Sequence, residues 1–106
     1  MEVEDVRFER QYRTPYSEGY LLTDDGNTLG RLELHYTDSV VYCTLIVEEE
    51  MEEDDLLDLI QKADDELVTS AQVPREDFVV TVYHGKDLGV YSDDYFAEEE
   101  DEEDQL

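Results

Sequence analysis

One run constrains this chain more than any other. Residues 40–48 place Val41, Cys43, Leu45 and Val47 on one side of an extended segment and Val40, Tyr42 and Ile46 on the other. A strand apolar on both faces belongs inside a sheet, covered at least in part on each side. The remaining segments therefore have to supply neighbours for it.

They do so mostly with a period of two. Residues 5–13 alternate, with Val6, Phe8 and Tyr12 on one side, Arg10 among them, and Arg7, Glu9, Gln11 and Arg13 on the other. Charged residues are tolerated on an edge strand and discourage aggregation there. Thr14-Pro15-Tyr16-Ser17 breaks this segment, because proline lacks a backbone donor. Two further arms, residues 19–23 and 29–37, flank Asp24-Asp25-Gly26-Asn27, a strong hairpin signal. In the second arm Leu32, Leu34 and Tyr36 share a face opposite Arg31, Glu33 and His35. Asp38-Ser39 makes the next turn, into residues 40–48.

The period then changes. Leu56, Ile60, Ala63, Leu67 and Ala71 recur at helical spacing over residues 52–71, with Leu57, Leu59 and Val68 widening the stripe. Glu52, Glu53, Asp54 and Asp55 crowd the first turn, where the helix dipole favours negative charge. Val73-Pro74 ends the helix. Residues 77–84 return to strand alternation, with Phe78, Val80 and Val82 against Val79, Thr81 and Tyr83. Residues 88–91 read as a short closing strand after the turn Gly85-Lys86-Asp87.

This order, β-β-β-β-α-β(-β), predicts an α+β two-layer sandwich. A mainly antiparallel sheet of about four to six strands carries one amphipathic helix on one face. The compact domain spans residues 1–92. Residues 93–106 hold nine acids and no base, the composition of a disordered tail, with Tyr95 and Phe96 able to anchor its start.

Charge limits the function classes. The net charge is -25, from 32 acidic and seven basic residues, and residues 48–66 alone hold eleven acids against Lys62. Such a chain repels nucleic-acid phosphates and anionic lipid, so direct nucleic-acid binding and membrane association are not expected. No stretch has the roughly 18 consecutive apolar residues of a membrane span. The N-terminus lacks the basic and apolar regions of a signal peptide. A single cysteine excludes an intrachain disulfide and points to a reducing compartment, the cytoplasm.

Catalytic and metal patterns are not found. Cys43 alternates with Val41 and Leu45 and reads as a small core residue. His35 and His84 lie near strand ends without a cysteine or carboxylate motif beside them, a poor zinc signal. Asp24-Asp25-Gly26-Asn27 fails the calcium-loop spacing, which needs glycine at the sixth position and glutamate at the twelfth. Carboxylates along residues 48–55 diverge on entering a helix. No enzyme activity, cofactor or dedicated metal site is expected.

What the sequence offers instead is a surface. If the helix covers the Leu32/Leu34/Cys43/Leu45/Val80/Val82 face, the opposite face exposes Tyr42, Ile46, Val79 and Tyr83, with His35 beside them. Amphipathic tyrosines on an uncovered sheet suit a protein partner or a second copy of the chain. High strand propensity of tyrosine and threonine accounts for them equally well. The other surface is acidic: Glu52, Glu53, Asp54, Asp55, Asp58 and Asp65 on the helix. The reading is a small non-enzymatic adaptor or regulator that docks through the tyrosine face or the acidic helix. Two alternatives use the charge differently. A helix of carboxylates imitates duplex DNA, with its one charge per about 1.7 Å, and would inhibit a basic DNA- or RNA-binding protein. Or the acidity is an adaptation to high salt and carries no function of its own.

Overall fold

The computed structural model describes residues 2–69 and 75–94. A single 3-10 turn, Val3–Asp5, precedes β1, Arg7–Arg13. Then follow β2, Ser17–Asp24; β3, Asn27–Tyr36; and β4, Val40–Val47. Helix α1, Glu53–Ala63, runs on as a π-helical turn, Asp64–Val68, before β5, Asp77–His84. The five strands form one sheet in the order β1-β2-β3-β4-β5. The first four are joined antiparallel, and the helical crossover makes β5 parallel to β4. The fold is the expected α+β sandwich, with β4 flanked on both sides.

Local chemistry explains the elements. The β2–β3 hairpin closes on two residues, Asp25 and Gly26, with φ of 51° and 83°. Positive φ at both positions is the type I′ turn that matches strand twist, and Asp-Gly is a favoured pair for it. The α1 N-terminus has no side-chain cap, but Glu53, Asp54 and Asp55 sit in its first turn. At the other end Arg75 pairs with Asp64 at 2.8 Å and lies 5.2 Å from the Phe78 ring centroid, tying helix end to β5 start.

One apolar layer fills the space between helix and sheet. Leu22, Leu32, Leu34, Val41, Cys43, Leu45 and Val47 from the strands meet Leu59, Ala63 and Val68 from the helix, all buried. Phe78, Val80 and Val82 pack partly against this cluster. Each fully buried leucine contributes about 1.5–3 kcal/mol relative to leaving it exposed.

Four sequence expectations are corrected. Residues 88–91 are not a strand: Leu88 and Val90 project into solvent, 91% and 86% exposed. Leu57 does not widen the buried stripe but is exposed, because Leu59, Ala63 and Val68 already face the sheet. Val6 is buried but precedes β1, in the residue that closes the 3-10 turn. Tyr12 is not on the Phe8 side. Arg10 pairs with Tyr20 and Tyr12 with Gly19, so the extra residue Gln11 bulges and turns Tyr12 to the opposite face. Ala71, at the end of the expected helix, and residues 95–106 of the expected tail lie outside the described residues.

Candidate interaction face

Strand register decides which side chains share the face away from the helix. Across the sheet, Tyr12 lies opposite Gly19, Gly19 opposite Glu33, Glu33 opposite Thr44, and Thr44 opposite Thr81. A parallel row runs through His35, Tyr42 and Val79, and another through Arg31, Ile46 and Tyr83. The residues singled out from the sequence, Tyr42, Ile46, Val79, Tyr83 and His35, are thus brought together on three adjacent strands. Tyr42 is 48% exposed, Tyr83 56% and Val79 38%; Ile46 is half-buried and His35 exposed.

Tyr12 extends this face, which sequence alternation alone could not reveal because the bulge is invisible to a count of two. Its ring lies over Gly19, in the space a Cβ there would fill. Partial burial raises the Tyr12 phenol above its ordinary value, and the charge and hydrogen bond of Glu33 add to this. The polar groups of the face are of both signs. Glu33 lies 3.9 Å from His35, and Arg31 lies 3.9 Å from Asp87. That last pair draws the segment after β5 over the end of the face, where residues 85–87 share a cleft with Leu21 and Ile46.

The acids singled out from the sequence lie on the other side. Glu52, Glu53, Asp54, Asp58 and Asp65 are exposed and Asp55 is half-buried, all along the helix. Asp55, Asp58 and Asp65 line a groove with Glu2 and Glu4, into which Lys62 also projects. Lys62 pairs with Glu66 at 2.7 Å and reaches the Glu4 carbonyl. Among the described residues no three His, Cys, Asp or Glu side chains converge as metal ligands would. No helix among them is long and apolar enough to cross a membrane.

A second polar cluster was not foreseen. Glu18 is buried at 7% exposure on the core side of β2. It accepts hydrogen bonds from the Tyr20 hydroxyl and, at 3.3 Å, from the Tyr36 hydroxyl, with Arg13 Nε 4.0 Å away. Burial and the adjacent Glu18 charge raise both phenols, Tyr36 to about 12. The sequence signal was present: Glu18 alternates with Tyr20 and Leu22 and so occupies a core register. Two hydroxyl donors satisfy the carboxylate, and the cluster needs no ligand to explain it. Cys43 is buried mid-strand, and burial pushes its thiol up to about 12, away from nucleophilic use. His84 ends β5, opposite Val47, well removed from His35 in the register.

Compared with models of known families, with curated proteins and with solved structures, the chain matches none.

Proposed function

We propose that this chain is a small non-enzymatic interaction domain, an adaptor or regulator, that docks a protein partner through its open sheet face. One observation carries the reading: Tyr42, Val79 and Tyr83 stand exposed together on the face opposite the helix. Tyrosines with one apolar side and one hydrogen-bonding tip are the anchors such interfaces use. Arg31, Glu33 and His35 beside them supply charges of both signs for orientation. The buried Cys43 accords with a reducing compartment, and we place the protein in the cytoplasm.

The segregation of acids onto the helix supports a second reading, in which Glu53, Asp54, Asp58 and Asp65 present carboxylates to a basic, nucleic-acid-binding protein. Parallel affinity capture from the source cells separates the two. The tyrosine-face reading requires Tyr42→Ser with Tyr83→Ser to lose the captured partner while the melting temperature holds. Charge reversal by Glu53→Lys, Asp54→Lys and Asp58→Lys should leave that partner bound. Loss on charge reversal alone, with strong salt sensitivity, transfers the function to the helix. Capture unaffected by either set overturns both.

A further inference from the structure

The two edges of the sheet are built differently. β1 carries Arg7, Arg10 and Arg13 and is bent by the bulge at Gln11. Its Glu9 carbonyl is taken by the Gln11 side chain at 3.2 Å. Charge and a bulge are the devices that stop an edge from pairing with another chain. β5 has fewer: it has no bulge, and its single acid, Asp77, sits at its start and takes the Phe78 N–H at 2.8 Å. It reads Asp-Phe-Val-Val-Thr-Val-Tyr-His, without lysine, arginine, proline or glycine. It also keeps unbroken register with β4 from Asp77 to His84. High strand propensity, little charge and no proline mark a segment that pairs readily.

The direction of the β5 backbone follows from its neighbours. Thr37 N–H donates to the Val40 carbonyl and Glu48 N–H to the Leu29 carbonyl, so even-numbered residues of β4 turn their backbone polar groups toward β3. The odd-numbered residues face β5, and Gly85 N–H donates to the Val47 carbonyl at 2.9 Å accordingly. Odd-numbered residues of β5 therefore face β4. Val80 and Val82 point their N–H and C=O groups out of the sheet, as does Phe78, whose N–H is already taken by the Asp77 carboxylate. Among the described residues no strand lies on that side. The turn that follows β5 leads away from it, with Asp87 reaching inward to Arg31 on β3.

We infer that this edge is a self-association surface: β5 of one copy pairs antiparallel with β5 of a second copy about a two-fold axis at Thr81. Only even-numbered residues can exchange hydrogen bonds across it. With the axis at Thr81, Val80 pairs with Val82 of the second copy, and Val82 with its Val80. Val79 then stands opposite the second copy's Tyr83 as a non-hydrogen-bonded pair, where side chains approach most closely, an aromatic against a β-branched residue. The pairing joins both open faces into one continuous surface. It uses the edge rather than the face, so it stands whether or not Tyr42 and Tyr83 dock a partner. Because β1 is guarded and β5 is not, the contact is isologous and closes at a dimer instead of growing into a fibre. Each copy carries a net charge of -25, so salt should strengthen association by screening.

The test is sedimentation velocity on the full chain over a range of protein and potassium chloride concentrations. A monomer–dimer equilibrium that shifts toward dimer with salt is expected. Thr81→Lys, which sets two like charges face to face, should weaken it several-fold while the melting temperature stays. Across a non-hydrogen-bonded pair the Cα atoms lie about 4.5 Å apart, within disulfide reach. Thr81→Cys should therefore form a disulfide-linked dimer under mild oxidation, much faster than Leu57→Cys on the exposed side of the helix. A monomer at every concentration and salt overturns the inference. So does a dimer that Thr81→Lys leaves intact and in which Thr81→Cys crosslinks no faster than Leu57→Cys.

Discussion

Burial at Cys43, and burial together with the adjacent Glu18 charge at Tyr36, make pH matter. An unfolded chain releases the thiol proton near 9.0 and the phenol proton near 10.0, whereas in the fold both values stand at about 12. Below pH 9 both states hold these protons and the full stability is present. Above that the unfolded chain binds fewer protons than the native one, so stability falls as pH rises toward about 12. Thermal melts in alkaline buffer should show the melting temperature dropping from about pH 9. Cys43→Ala should start lower at neutral pH, having lost packed volume, yet fall less steeply above pH 9. Equal slopes for the two proteins would remove the thiol from the account. The placement of Cys43 was legible from its neighbours Val41 and Leu45. The Glu18 cluster was not, because an acid in a core register looks like an error in the pattern until Tyr20 and Tyr36 are seen to donate to it.

Elements were legible wherever periodicity was strong and illegible wherever a ladder broke. The hairpin at Asp25-Gly26, the β4 run and the helical stripe through Leu59 and Ala63 follow from turn chemistry and spacing. Tyr12 escaped because one bulged residue reverses every side chain after it, and no propensity records a bulge. Residues 88–91 have the apolar content of a strand, but the Arg31–Asp87 pair carries the preceding turn across the sheet face instead of along the edge. A second irregularity, between Leu22 and Thr23 of β2, lies beside Gly30 on β3. A Cβ on Gly30 would meet the Ile46 carbonyl, backbone that cannot step aside without opening the β3–β4 ladder. Gly30→Ala should therefore destabilise by about 1–3 kcal/mol or more, as overpacking does. A urea titration checks this, and an unchanged midpoint would mean the two strands separate more easily than their register implies.

For the molecule as a whole, the chain sorts its chemistry by face: acids along the helix, leucines between the layers, tyrosines on the uncovered side of the sheet. The tyrosine face accounts for the proposed docking, and the unguarded β5 edge for self-association. The docking depends on the face being open in the free protein. Tyrosine nitration of the full chain, read peptide by peptide, tests that most directly. Tyr42 and Tyr83 should react at a rate comparable to Tyr16, which is 74% exposed, while Tyr20, 6% exposed, stays unmodified until the chain unfolds. Protection of Tyr42 and Tyr83 in the monomer, at the level of Tyr20, would mean that the chain covers its own sheet, and would contradict the account.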